Sequence, residues 1–136
     1  MRLSISEILE KSQEFKTRKE KVAWLKANDT PALRTVIKYA WDDNIKFLLP
    51  KGAAPYKPMP TNEGHGMLYH EARKLYLFVE GGNPKLKQPR REQLFIQLLE
   101  SIDPKDAELI INVKDKKLPY KGLDRNLIKE AFKDLL

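Results

Sequence analysis

The residues with the most chemical promise in this chain are two histidines, His65 and His70, a set of scattered carboxylates, and a run of lysines that ends at Gly122. The histidines straddle the end of a glycine-containing loop. With a helix beginning near Met67, only His70 lies on it, so the pair lacks the one-turn spacing with which a helix presents two imidazoles to a metal. No metal site is expected, and no cofactor. Asp103, Asp106 and Asp124 read as helix caps and dipole partners, and Asp42-Asp43 as a solvated or turn-facing pair. Gly64-His65-Gly66 and Gly81-Gly82-Asn83-Pro84 lack the Gly-Lys-Ser/Thr that completes a phosphate loop. There is no Lys-x-Asp-Gly sequence, which removes the lysine that nucleotidyltransferases join to a nucleotide. No catalytic residue is assigned, and an enzyme is not expected.

Positive charge is the remaining feature. Lys and Arg number 26 against 19 Asp and Glu, a formal charge of +7 that favours polyanionic partners. Two clusters stand at helix ends: Lys85, Lys87, Arg90 and Arg91, and then Lys114, Lys116, Lys117, Lys121 and Arg125 around a turn that contains Gly122. Lysines at a helix C-terminus also complement the macrodipole, so Lys114, Lys116 and Lys117 have a structural reading beside the ligand reading. Arg125 is different. It falls in the first turn of the final helix, where the dipole disfavours a cation, which implies an anion nearby. Arg34 and Lys38 form a third group on a helix whose exposed face can be merely solvated. Tyr56, Tyr69 and Tyr120 can stack on bases or pack beside prolines.

The elements that position these residues follow from helical periodicity. Ser4 with Glu7, and Thr17 with Glu20, have the spacing of capping boxes and open two short helices, the first reaching Phe15 and the second Asn28. Thr30-Pro31 opens a third, whose apolar positions Leu33, Val36, Ile37, Ala40, Trp41, Ile45 and Leu48 extend it to residue 48. Prolines and glycines then predict a long loop over 49–66. A fourth helix is expected over 67–79, with residues 75–79 also suited to a strand. Three more follow: one through Leu94 to Ile102, one opened by Asp103-Pro104, and one opened by Asp124. The expectation is an all-α protein, a single domain over 1–136 with about seven helices and no repeat. No stretch has the length and apolarity of a signal peptide or a membrane span, so a cytoplasmic location and no membrane partner are expected. Cysteine is absent, so packing alone must hold the fold.

The order of these features resembles a known family. Glu7-Ile8-Leu9-Glu10, Arg18-Lys19-Glu20-Lys21-Val22 and Leu33-Arg34-Thr35-Val36-Ile37-Lys38-Tyr39-Ala40 resemble the start of the N-terminal helical DNA-binding domain of T-even-type phage ATP-dependent DNA ligases. Residues 106–118, then a glycine and a final helix, are similar to that domain's closing helix pair. The resemblance implies a domain that binds duplex DNA across the minor groove through the sugar-phosphate backbone, with the turn before the last helix as one contact. By position it implicates Lys116, Lys117, Gly122 and the residues just after it. The turn here departs from the family pattern by Pro119 and one added residue, and the chain stops where ligase catalytic domains would start. The implied protein is a stand-alone, phage-type binding module in the host cytoplasm.

Duplex DNA is thus the expected partner, through Lys116, Lys117, Lys121, Gly122, Arg125, Lys85, Lys87, Arg90, Arg91, Arg34 and Lys38. The alternative is a helical adaptor for host or replication proteins, using Ala53, Ala54, Tyr56, Met59 and Pro60 in the proline-rich loop.

Overall fold

Five of the helices begin on a short polar side chain that accepts an N–H of the first turn: Ser4, Thr17, Thr30, Asp103 and Asp124. The computed structural model describes residues 2–60 and 65–136. Over these it places α1 (Ile5–Lys11), α2 (Arg18–Ala27), α3 (Pro31–Trp41), α4 (Leu68–Glu71), α5 (Gln88–Glu100), α6 (Pro104–Asp115) and α7 (Arg125–Ala131), with 3-10 turns at Ser12–Glu14 and Ala72–Phe78. The protein is all-helical. Among the described residues the only strand-like pairing is one antiparallel bridge between Phe47 and Val79.

The apolar stripes of all seven helices meet in one core, to which Ile8, Leu25, Leu33, Leu68, Leu99, Ile110 and Ile128 each contribute a fully buried side chain. Removing a methylene-rich side chain from such a site typically costs about 2–5 kcal/mol, so these positions hold the architecture. α1 and α2 are joined by the Trp24 indole N–H, which donates to the Ile8 carbonyl at 2.8 Å. α5 and α6 run back to back through a tight turn at residues 101–103. The start of α5 and the end of α6 therefore share one end of the molecule.

Two boundaries differ from the sequence expectation, and each has a local cause. The third helix stops at Trp41, not at residue 48, because the Asp42 carboxylate accepts the Asn44 N–H at 2.9 Å and turns the chain. Ile45 and Leu48 continue the apolar spacing without the helix. Ile45 leads into a strap, residues 46–52, whose Leu48 N–H donates to the Phe78 carbonyl at 2.8 Å while Lys46 accepts from the Glu80 N–H at 2.8 Å. The expected fourth helix is one α-turn followed by a 3-10 stretch, ending in Val79 with extended backbone. There the chain needs Gly82, because a Cβ would lie 1.7 Å from the Tyr76 carbonyl oxygen. The first helix is also shorter than expected, ending at Lys11 with a 3-10 turn over Ser12–Glu14, and the last ends at Ala131.

The described part of the 49–66 loop follows the helices closely. The Gly52 N–H donates to the Asp115 carboxylate at 3.0 Å, and the Lys57 N–H to the Glu100 carboxylate at 2.7 Å. Its residues 61–64 lie outside the described ones.

Candidate nucleic-acid interface

The basic residues divide into those engaged by the chain itself and those left on the surface. Lys114 belongs to the first set. Its side chain is 2% exposed, and its ammonium donates to the carbonyls of Pro50 at 2.7 Å and Gly52 at 3.0 Å and to the Asp115 carboxylate at 2.6 Å. All three ammonium donors are engaged, so Lys114 is a tether for the strap.

Lys116 caps the C-terminus of α6 in the left-handed region, at φ 57°. Its half-buried ammonium turns inward to the carbonyls of Tyr39 and Asp42, at the end of α3, and lies 5.6 Å from the centre of the Phe47 ring. Burial pushes the Lys116 pKa down. Both lysines therefore correct the expectation of a lysine-rich surface turn, since their alkyl chains fold against the strap and their charges meet carbonyl oxygens.

Arg91 is likewise removed from the expected contact set. It is buried, and its guanidinium donates to the Leu77 carbonyl at 3.2 Å, the Leu86 carbonyl at 3.0 Å and the Gln88 side-chain oxygen at 2.6 Å. Arg34 forms a two-pronged pair with Asp29 at 2.6 and 2.7 Å and stands over the Phe132 ring. This pairing holds the Asp29 carboxyl below its usual range. Lys38 bridges the Asp42 carboxylate at 3.2 Å and the Leu135 carbonyl at 2.8 Å. Arg125 donates to the Trp41 carbonyl and meets the Asp43 carboxylate, each at 2.7 Å. The anion implied by its place against the α7 dipole is supplied by this chain.

The surface set is Lys85, Lys87, Arg90, Lys117 and Lys121, all exposed, with no ion pair among the described residues. Arg90 makes one side-chain bond, to the Gln93 amide oxygen at 2.7 Å. Gly122, at φ 82°, takes a conformation in which L side chains are strained, and Lys21 crosses it closely enough that a Cβ would meet its Cε at 3.0 Å.

The strap brings the two clusters together. The Gln88 side-chain amide at the start of α5 donates to the Leu48 carbonyl at 2.7 Å, while Lys114 near the end of α6 holds Pro50 and Gly52. Lys85, Lys87 and Arg90 thus share one end of the molecule with Lys117. The strap that joins them itself carries the exposed Lys46 and Lys51. The sequence does not single out Lys51, whose available signal is its place between Pro50 and Gly52. Lys121 stands farther round, at the Lys21 side of the turn. The first turn of α5 lacks a side-chain cap, in contrast to the five capped helices, and it contains no acid.

The histidines do not assemble into a shared site. A His65 ring nitrogen lies 3.0 Å from the Arg2 carbonyl, whereas His70 pairs with Arg73 at 2.8 Å. Among the described residues no three His, Asp or Glu side chains are grouped to hold a metal ion. The tyrosines are largely engaged as well: Tyr69 donates to the Leu3 carbonyl at 2.7 Å beneath the Arg2 guanidinium, and burial pushes the Tyr120 hydroxyl up to about 12.

No helix of the described chain is long and apolar enough to cross a membrane. Residues 8–120 match a family model, DUF6433, whose description is a family of unknown function. No curated protein and no solved structure matches the chain.

Proposed function

The chain belongs to DUF6433, a family of unknown function, and we propose that it binds the sugar-phosphate backbone of duplex DNA with little sequence preference. The observation that carries this is the gathering at one end of cations with no ion partner among the described residues: Lys85, Lys87 and Arg90 before and within α5, Lys46 and Lys51 on the strap, and Lys117 after α6. Exposed lysines of this kind meet phosphates at low cost in desolvation, and phosphate contacts position a protein without reading bases. The Gln and Arg side chains at the start of α5 bond to one another or to the strap, Gln88 to Leu48, Arg90 to Gln93 and Arg91 to Gln88, so they are not a free row of the kind that reads base edges in the major groove. The likeness of the turn at 116–122 to the backbone-contacting turn of a phage ligase domain supports the same partner, with Lys117, Lys121 and Gly122 as its contacts. Lys116 and Arg91 serve this surface from beneath, and the exposed Arg125 from its side, by fixing the ends of α3, α5, α6 and α7.

Fluorescence anisotropy of a labelled duplex tests the reading. Engaging four to six phosphates makes affinity fall by roughly 10²–10³ between 50 and 200 mM salt. Lys85→Glu with Lys87→Glu should weaken binding to every duplex sequence alike. No binding at low salt, or binding indifferent to salt, would refute the proposal.

A further inference from the structure

The strap and the first two turns of α5 enclose a cleft of about 320 Å3, a size that takes one large side chain or a small ligand. Its walls are mainly Leu49, Pro50, Ala54, Pro89, Phe95 and Ile96. The strap wall is fixed, because Lys114 and Asp115 hold Pro50 and Gly52 in place. Lys114 reaches the cleft lining but has no donor left for an occupant.

Charge around this apolar cleft is uneven. Lys51 stands on the strap between two of its wall residues, and Arg90 is tied to Gln93, itself a lining residue. Both cations are exposed and without ion partners among the described residues. The one lining acid, Glu92, accepts from the Gln88 amide at 3.0 Å. A DNA backbone would satisfy the cations and leave the cleft empty. A nucleobase would find no ring to stack on, since the one aromatic wall, Phe95, is 2% exposed. An apolar side chain flanked by carboxylates uses both features at once.

We propose that this cleft is a docking site for an acidic linear segment of a partner protein, with one large apolar side chain seated between strap and α5 and flanking carboxylates on Lys51 and Arg90. The site is separate from the duplex reading in its apolar part and overlaps it in its cations. Acidic segment and duplex therefore compete.

The probe is a labelled twelve-residue peptide of Asp and Glu around a single Phe, compared with one in which Phe is replaced by Ser and one in which the acids are replaced by Asn and Gln. The full chain should bind the first peptide in the micromolar range and each of the others about tenfold more weakly. Ala53→Trp, which fills the mouth of the cleft from an exposed position, should weaken the first peptide by about tenfold and leave duplex affinity within about twofold. Ile96→Asp, at a half-exposed wall position, should do the same by placing a carboxylate where the apolar anchor sits. Equal binding of the Phe and Ser peptides, no binding of any peptide, or indifference to both variants would overturn the proposal. So would the loss of a single-stranded oligonucleotide in the Ala53→Trp protein, which would assign the cleft to a base. If the duplex reading fails while peptide binding behaves as described, the cleft assignment stands alone.

Discussion

Arg125 and Asp43 meet at 2.7 Å, joining the first turn of α7 to the turn that closes α3. The pair neutralises a cation that opposes the helix dipole, and it fixes the chain on one side of the turn at 116–122. Both partners are well exposed, so the bond itself is worth at most about 1 kcal/mol.

That exposure makes Asp43→Asn informative. The variant should unfold within about 1 kcal/mol of the parent protein while releasing Arg125 toward solvent. With one more phosphate-binding cation available, duplex affinity should rise and the salt slope steepen by about 1. Unchanged affinity would place Arg125 outside the interface.

Lys116 and Lys117 are neighbours with opposite duties, and charge reversal separates them. Lys117→Glu should weaken duplex binding with little change in the denaturant midpoint. Lys116→Glu should chiefly destabilise the fold, because a carboxylate would face the Tyr39 and Asp42 carbonyls in place of a donor. The expected loss is roughly 2–3 kcal/mol. Comparable destabilisation by both changes would contradict the assignment.

Lys114→Met should loosen the strap. It strands Asp115 beside two carbonyls that have lost their donor, at a cost of about 2–3 kcal/mol. Limited trypsin digestion should then cut earlier at Lys51, and adding Asp115→Asn should recover part of the lost stability.

Asp106 gives a dependence on pH. It is fully buried, and its Oδ1 accepts the Ser6 N–H at 3.0 Å while Oδ2 has no hydrogen-bond partner among the described residues. Burial pushes its pKa up; hydrogen bonding from Ser6 opposes the shift, with Asp103 and His65 close by as charged or ionisable neighbours. The folded state therefore holds this proton more tightly than the unfolded chain. Its contribution to stability is complete below the ordinary aspartate value of roughly 3.9 and is lost as pH rises through the raised folded value. Relative to the parent protein, Asp106→Asn should gain stability as pH increases from about 4 to 7. A difference that stays constant with pH would mean that Asp106 ionises normally. Glu7 and Asp42 work in the other direction, since the Ser4 and Asn44 N–H groups lower their pKa values and the resulting stability fades in acid.

Gly82→Ala tests the close approach beside the 3-10 stretch. The new Cβ would overlap the Tyr76 carbonyl, which is backbone and cannot swing aside. A loss above about 3 kcal/mol is expected in denaturant unfolding.

Much of the fold was legible because its signals are local. The caps at Ser4, Thr17, Thr30, Asp103 and Asp124 depend on residues two or three positions away, and all five start helices where the sequence places them. The end of α3 was hidden because Ile45 and Leu48 keep helical spacing, whereas the side chains that pack on the core beyond the helix are Phe47 and Leu49, and periodicity does not distinguish those cases. The candidate interface was less legible still. Exposed Lys117 and buried Lys114 have the same composition around them, and what separates them is the distant Pro50 and Gly52. Arg91 and Arg90 are adjacent, yet only Arg91 points toward the Leu77 and Leu86 carbonyls. Such partners lie beyond any sequence window.

The strap at 46–52 has a bearing on how the molecule opens. Its ties to Phe78, Glu80, Gln88, Lys114 and Asp115 are long-range closures, which form late because chain entropy must be lost before they reward it. They are mostly polar and near the surface, whereas the apolar stripes of α1, α3, α6 and α7 lie beneath. Of these elements the strap is therefore the one expected to open first, so hydrogen exchange at Leu48 and Gly52 should outpace exchange in α3 and α6. One such opening would remove a wall of the cleft and scatter the cations of the basic end together, linking both surfaces to a single local transition.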